Sequence, residues 1–276
     1  FPQGDTVIVQ YPGINYYSFL RHSGNIHPKS IDLVTHPVDK RDNYIKRCIG
    51  LPGDTIALIN ASVLINGVLQ DESDFILLKY FVRTTGERLN DSILISMDVD
   101  PGETDFDPNS NIHILPLDKR AYNLLLTNKN VRTIRKFTEP LLVYRNIEIF
   151  PGNTNITWTP DDFGPVIIPA KNSVIKLDIN NLPFYERIIR VYEKNKLEIR
   201  DENIYINGKL ADSYTFKMDY YFVMGDNRHN SADSRYWGFV PEDHLIGKAV
   251  FLWYSKEQGK GFITGTRWNR LFKPIK

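Results

Sequence analysis

The chain has 276 residues, of which 42% are hydrophobic and 24% charged, with a formal net charge of +1. This composition is typical of a folded protein of one large or two modest domains, and it excludes a disordered chain or a strongly basic nucleic-acid binder. The single cysteine, Cys48, excludes an intramolecular disulfide and a Cys-rich zinc or iron–sulfur site. We interpret Cys48 as a small buried residue.

The start of the chain, Phe1-Pro2-Gln3-Gly4-Asp5, lacks a Met, a basic segment and an apolar segment of the signal-peptide type. No run of about 18 consecutive apolar residues occurs, so no bilayer-spanning helix is predicted. We therefore expect the chain to be a fragment whose upstream part has been removed.

Short β-branched and apolar runs separated by Gly, Pro and Asn predict a chain rich in strands, beginning at Thr6 to Tyr11. The turn Asn66-Gly67 predicts a hairpin between Val63-Leu64-Ile65 and Val68-Leu69, because a type I′ turn needs positive φ at both central residues. A similar segment recurs 141 positions later around Asn207-Gly208. We interpret this echo as the same turn chemistry used twice.

Residues 76–213 are predicted to form an inserted domain, because they combine mixed strands with two helix candidates, one near 118–127 and one beginning at Pro183. Strand character returns after Phe216. The sequence thus predicts a mainly β fold, with a β-barrel or sandwich core made of residues 1–75 and 214–276 and a large, β-rich second domain with some α-helix between them.

The segment from Tyr44 to Ile49 reads as a strand whose alternation places Tyr44, Lys46 and Cys48 on one face. That face carries no carboxylate. An ammonium held among apolar groups loses solvation, which favours its neutral form, and a neutral lysine can take a proton from a serine hydroxyl. The alternative is an ordinary lysine on a solvated sheet face.

The segment from Met224 to Gly238 is dense in Asp, Asn, Ser and Gly, which predicts a structured loop. Ser231 lies between Asn230 and Ala232 and is free to bond something other than its own turn. The alternative is a charged surface loop. Opposite charges two residues apart predict two ion pairs that fix the loop's shape, Asp226 with Arg228 and Asp233 with Arg235.

Three segments resemble, in this order, sequence boxes of the bacterial type I signal peptidases, membrane-anchored Ser/Lys proteases that remove secretory signal peptides. The segments are Gly4 to Val9, Tyr44 to Asp54, and Gly225 to Arg235. The resemblance implies a serine endopeptidase with a signal-peptidase-like β core, a variable inserted domain, and no metal or cofactor.

The resemblance also implies a role for each matching residue. Lys46 is similar to the family's general base, and Ser231 to the serine whose hydroxyl orients that lysine. Tyr44 and Ile45 resemble residues that line the substrate groove. Since the base is a lysine, the histidines, including His229, are interpreted as surface or structural groups. The residues that would support the site are Asp233, Arg235, Asp226, Arg228 and Arg47.

One departure from the family is large. The family's nucleophile lies in a Ser-Met-x-Pro-Thr segment before the Gly-Asp box, and the chain contains no such segment. Ser96-Met97 is a superficial match that follows the lysine box and continues with Asp98, so we reject it. We expect the chain by itself to be inactive.

The resemblance implies signal peptides of secretory preproteins as partners, a membrane surface reached through an anchor missing from this chain, and no nucleic acid. It places the protein at the bacterial cytoplasmic (inner) membrane, on the periplasmic face. One alternative is a self-cleaving-repressor-type Ser/Lys peptidase, for which we find neither a helix-turn-helix nor an internal cleavage site. Another is a non-catalytic periplasmic β-rich interaction module. The residues upstream of Phe1 would distinguish them.

Overall fold

The computed structural model describes residues 44–138, 149–152, 156–256 and 261–275, and the backbone of two further strands, Thr6–Ile8 and Leu33–Thr35. The chain divides into two compact units, Phe1–Pro241 and Glu242–Lys276. The predicted first strand is confirmed at Thr6–Ile8. Its predicted continuation to Tyr11, and the residues Gly4 and Asp5 of the first box, lie outside the described residues.

The strands of the first unit are short and follow one another closely along the chain. They are β1 (Thr6–Ile8), β2 (Leu33–Thr35), β3 (Arg47–Gly50), β4 (Thr55–Ile59), β5 (Ser62–Ile65), β6 (Val68–Leu69), β7 (Leu78–Thr84), β8 (Asp105–Asp107), β9 (Ile112–Leu117), β10 (Val131–Lys136), β11 (Phe163–Ile167), β12 (Val174–Lys176), β13 (Leu197–Arg200), β14 (Asn203–Ile206), β15 (Lys209–Leu210), β16 (Ser213–Thr215), β17 (Tyr220–Met224) and β18 (Val240–Pro241).

The helices of this unit are short as well. They are α1 (Asp91–Ser96), α2 (Lys119–Leu126), α3 (Leu182–Arg187) and α4 (Ser234–Trp237), with a 3-10 turn at Pro101–Glu103 and a π-helical turn at Ile188–Tyr192. The helix predicted near residues 118–127 is confirmed as α2, and Asp118 begins it by accepting a hydrogen bond from the Ala121 amide at 2.7 Å. The helix predicted from Pro183 is α3, which starts one residue earlier.

These strands pair antiparallel into several small sheets, so the predicted mainly β fold is confirmed. The two largest sheets have the strand orders β10-β7-β9-β8 and β11-β4-β5-β6, and β3 pairs with β17, which also pairs with β18. No sheet in the described part of the chain closes on itself. None of the helices formed by the described residues has the length and apolar character needed to cross a membrane.

Two hydrophobic clusters stabilise the first unit. The smaller cluster lies within residues 80–134, where Val82 and Leu115 of the β7–β9 sheet pack with Leu94 and Leu125 of helices α1 and α2. The larger cluster draws its members from residues 49–65 and 149–239. The predicted domain boundaries at 76 and 213 stay a prediction. The clusters divide the described chain elsewhere, because residues 149–213 contribute to the core that also contains β4, β5 and β17.

The echo at an offset of 141 residues extends beyond the turn. Strands β4, β5 and β6 form a three-stranded meander, and β13, β14 and β15 form another whose paired residues have the same register. Both Asn-Gly turns have the positive φ values of the predicted hairpin, 52° and 79° in the first and 53° and 80° in the second. We call residues 54–70 the first meander and residues 195–211 the second.

The second unit is small. Its described residues form two 3-10 turns, Glu242–His244 and Trp268–Arg270, and one hairpin of strands β19 (Phe251–Leu252) and β20 (Lys273–Pro274). Its described apolar side chains are largely exposed, among them Ile246, Trp253, Phe262, Ile263 and Trp268.

Candidate functional site

Lys46 and Ser231 are brought together by the pairing of two strands. Lys46 immediately precedes β3, and β3 pairs with β17, where Met224 lies opposite Arg47. The predicted loop leaves β17 at this same end of the pair, so its residues fold over Lys46. The Lys46 Nζ lies 2.7 Å from the Ser231 Oγ in a half-buried position. This short contact holds the amine in one orientation, and a neutral amine in that orientation has a lone pair with which to accept a proton.

Gly225 leaves the space that this contact needs. A Cβ atom on Gly225 would lie 2.2 Å from the Ser231 Oγ and 3.3 Å from the Lys46 Nζ. Contacts that short force neighbouring atoms to move, and the nearest atom belongs to the short serine side chain. Any side chain at residue 225 would therefore displace the hydroxyl from the amine.

A buried ion pair fixes the far end of the loop. Arg235 and Asp233 are both fully buried, and the Asp233 carboxylate accepts from the Arg235 Nε at 2.9 Å and Nη2 at 2.8 Å. Asp233 also accepts from the Gly225 amide at 3.1 Å, so it links the two ends of the loop. Because removal of either charge would leave its buried partner uncompensated, this pair contributes strongly to the loop's shape.

The remaining charged residues pair differently from the prediction, which joined Asp226 to Arg228. Asp226 instead accepts two hydrogen bonds from Arg47, at 2.9 and 2.8 Å, because the Arg47 fork on adjacent β3 matches a carboxylate. Arg228 is buried and donates to Glu72. Burial lowers the pKa of Arg228, and the Glu72 carboxylate opposes that effect.

Glu72 is a residue of this site that the sequence did not indicate. It follows the first meander and lies 156 positions before Arg228, so neither a motif nor a local charge pattern links the two. Within the described residues, the Nε and Nη1 of Arg228 have no hydrogen-bond partner. Glu72 is therefore the principal acceptor for a buried cation of the loop.

Tyr44 and Ile45 lie next to Lys46 and are 76% and 81% exposed. They precede β3 rather than belonging to it, so the predicted strand alternation does not apply to them. The prediction that Cys48 is buried is wrong, because its position on β3 leaves it exposed. The rejected Ser96 ends helix α1, and its hydroxyl donates to the Ile93 carbonyl at 2.7 Å.

The side chain of His229 is buried, in agreement with a structural role and not with a surface one. Among the described residues, no group of three or more His, Cys, Asp or Glu side chains is arranged to hold a metal ion. The site described by the structure therefore consists of a lysine–serine contact within a loop that is fixed by charged and hydrogen-bonded side chains.

Comparisons with known proteins identify the family of the chain. The family described as "Signal peptidase, peptidase S26" matches residues 1–100 and 171–254, which include Lys46 and the whole loop. Signal peptidase I of Buchnera aphidicola subsp. Acyrthosiphon pisum is 28% identical over 247 residues, covering 87% of this chain and 58% of that protein. Signal peptidase I of Buchnera aphidicola subsp. Baizongia pistaciae is 32% identical over 228 residues, covering 72% and 70%.

A third relative, signal peptidase I of Haemophilus influenzae, is 53% identical over 57 residues, which cover 20% of this chain and 16% of that protein. The chain spans 58% of the first of these relatives and so corresponds to only part of its length. The family match covers more than half of the chain, and the second relative is matched over more than two thirds of its own length. The chain belongs to the signal peptidase family, peptidase S26.

Proposed function

We propose that the protein containing this chain is a serine endopeptidase that removes N-terminal signal peptides from secretory preproteins, with Lys46 as its general base. The observation that carries the proposal is the 2.7 Å contact between the Lys46 Nζ and the Ser231 Oγ. Membership of the family supports the reaction class. A lysine oriented by a hydroxyl can act as the base of a Ser/Lys pair without a histidine.

The proposed reaction begins when neutral Lys46 takes the proton of a nucleophilic serine, which then attacks the carbonyl carbon of the scissile bond. The resulting acyl-enzyme is hydrolysed by a water molecule that the same lysine deprotonates. We propose that a serine outside this chain supplies the nucleophile, because the 276 residues contain no Ser-Met-x-Pro segment. The chain by itself would then be inactive.

The other site residues take supporting roles in this proposal. Ser231 orients the amine. The buried Asp233–Arg235 pair and the Arg47–Asp226 and Arg228–Glu72 pairs hold the loop in place. Tyr44 and Ile45, exposed next to the base, offer apolar surface to the substrate. We propose residues 1–75 and 214–276 as the catalytic core and residues 76–213 as the insertion, of which residues 149–213 pack into the same hydrophobic cluster as β4, β5 and β17.

We further propose that the substrates are signal peptides presented at the periplasmic face of the bacterial cytoplasmic membrane, where an anchor outside this chain holds the protein. The resemblance and the family support this location. No nucleic acid takes part in the proposed function.

Cleavage of a purified preprotein by the full-length protein tests the proposal. Lys46→Ala is expected to lower kcat at least about 10²–10⁴-fold, the usual contribution of a general base. Ser231→Ala is expected to cause a smaller loss, because the amine remains but is no longer oriented. Lys119→Ala is a matched control, since Lys119 is an exposed lysine bonded to Asp74.

Unchanged cleavage by the Lys46→Ala protein contradicts the proposal. A full-length protein that binds preproteins without cleaving them supports the interaction module instead. The 276-residue chain alone is expected to give no cleavage. Turnover by the chain that is lost on Ser96→Ala and retained on Ser231→Ala contradicts the assignment of the loop.

A further inference from the structure

The loop that carries Ser231 begins with a single parallel bridge to residue 77. The Leu77 amide donates to the Asp226 carbonyl at 2.9 Å, and the Arg228 amide donates to the Leu77 carbonyl at 2.9 Å, which makes Leu77 and Asn227 a parallel bridge. In a parallel ladder the next hydrogen bond would run from the Lys79 amide to the Arg228 carbonyl.

That next bond is replaced by a side chain. The Arg228 carbonyl accepts a hydrogen bond from the Arg235 Nη2, so it is bound to the ion pair that fixes the loop. The Lys79 amide donates to the Nδ1 of His229 at 3.1 Å instead. The imidazole nitrogen thus takes the place of a backbone carbonyl, and the loop leaves the ladder at His229.

This contact determines which imidazole nitrogen carries the proton. A backbone amide can only donate, so Nδ1 must be unprotonated, and the proton of the neutral ring lies on Nε2. The Nε2 is 3.1 and 3.2 Å from the two Asp161 carboxylate oxygens. The His229 and Asp161 side chains are 1% and 3% exposed. The edge of the ring also contacts Phe137. Both nitrogens are therefore held away from water.

We propose that His229 is a positioning residue for the Lys46–Ser231 pair, a role that rests on the proposed function. By accepting from the Lys79 amide, its Nδ1 satisfies the donor that the ladder leaves open. The Arg228 carbonyl then stays available to Arg235, and the chain turns toward Ser231 two residues later. The side chain of His229 bonds the Lys79 amide and Asp161, whereas Lys46 bonds Ser231, so His229 acts on this pair through the path of the backbone.

Two substitutions of His229 test the hydrogen bonds of its two ring nitrogens separately. In His229→Asn, the amide oxygen can occupy the position of Nδ1 and accept from the Lys79 amide, while the contact to Asp161 is lost. In His229→Gln, the longer amide can reach Asp161 in the place of Nε2, but no acceptor remains for Lys79. The full-length protein carrying each change is assayed for kcat, KM and melting temperature.

The Asn variant is expected to keep kcat within about 3-fold of the wild type, and the Gln variant to lose about 10–100-fold in kcat with little change in KM, because the base is displaced and the exposed substrate surface is not. Equal losses in both variants, or wild-type kcat in the Gln variant, overturn the proposal. A fall in the melting temperature of the Gln variant alone does not account for a kcat loss measured well below that temperature.

A spectroscopic measurement distinguishes this proposal from the proposed function. In the chain with ¹⁵N-labelled histidine, His229 is expected to show an unprotonated Nδ1 and a protonated Nε2, and the Lys79 amide to exchange slowly with solvent. The opposite tautomer overturns the positioning role whether or not the protein cleaves. The expected tautomer with an inactive wild type, or with an active Lys46→Ala protein, overturns the proposed function instead.

Discussion

The first and second meanders share strand register and turn conformation but lie in different surroundings. In both, the side-chain oxygen of the turn Asn accepts a hydrogen bond from a backbone amide at the start of the meander. The donors are the amides of Thr55 and Lys196, at 2.8 and 2.9 Å. The segments that precede them differ. The first meander follows β3 and Lys46, whereas the second follows helix α3 and its π-helical turn. At the offset of 141 residues, the position equivalent to Lys46 is occupied by Arg187. The shared sequence thus specifies a meander, whereas only the first meander directly follows the strand next to Lys46.

The residue that accepts a hydrogen bond from the side-chain NH₂ of the turn asparagine also differs between the two meanders. In the first meander Asp54 is half-buried and accepts from Asn66 at 2.8 Å. In the second, Asn195 is buried, accepts from Asn207 at 2.9 Å and donates to the Tyr214 hydroxyl at 2.7 Å. The second meander therefore joins a buried polar network, and equivalent substitutions should have unequal energetic effects.

The largest difference is expected at this pair of positions. Asn195→Ala should lower the free energy of unfolding by about 3 kcal/mol, because it leaves buried polar groups without partners, whereas Asp54→Ala should cost about 1 kcal/mol. Urea denaturation of both variants measures the two values. Equal losses would show that the buried network adds nothing to the second meander.

Alkaline pH should lower the free energy of unfolding through two tyrosines of the buried polar network beside the second meander. Burial, together with Glu193, raises the pKa of both Tyr214 and Tyr220 above the ordinary value of 10. The folded protein keeps these phenols protonated while the unfolded chain ionises, so their stabilisation is present below pH 10 and lost as the pH rises above it.

Tyr214→Phe should therefore reduce the decline in unfolding free energy above pH 10 by about 1.4 kcal/mol per pH unit. The measurement is urea denaturation at several pH values between 9 and 11. If the slope is the same in the variant and the wild type, Tyr214 ionises equally in both states and the network is not as isolated from water as its burial indicates.

The smallest difference is expected at the turn glycines. Gly67→Ala and Gly208→Ala should each cost about 1 kcal/mol, because alanine is strained at positive φ and the added Cβ meets no atom within 4 Å in either turn. Urea denaturation should give the same loss for both. A clear inequality would contradict the equivalence of the two turns.

Much of the fold follows from local sequence. Asn-Gly specifies the hairpins, and Asp118 marks the start of α2. Helix α4 was not predicted, because Asp, Asn and Ser favour turns and its four residues depend on capping by Asp233. The spacing of identical residues does not reveal how similar the two meanders are, because their shared register depends on strand pairing.

Only those residues of the site that belong to a recognisable motif could be predicted from the sequence. The resemblance indicated Lys46 and Ser231 together, although they lie 185 positions apart. The partners of Arg47 and Arg228 could not be found in this way, because Asp226 and Glu72 are brought close by tertiary packing. The sequence predicts His229 to be a surface or structural residue. Nothing in the sequence shows that its ring accepts a hydrogen bond from the Lys79 amide.

The exposed position of Cys48 has a practical consequence. It is the sole thiol of the chain and lies on β3, two residues after Lys46. The pKa of the Cys48 thiol is raised by partial desolvation of the sulfur and by the negative charge of nearby Asp54. Coupling to a maleimide dye should therefore proceed faster in mildly alkaline buffer. A fluorophore attached there would report directly on ligands arriving beside the amine, without any engineered cysteine.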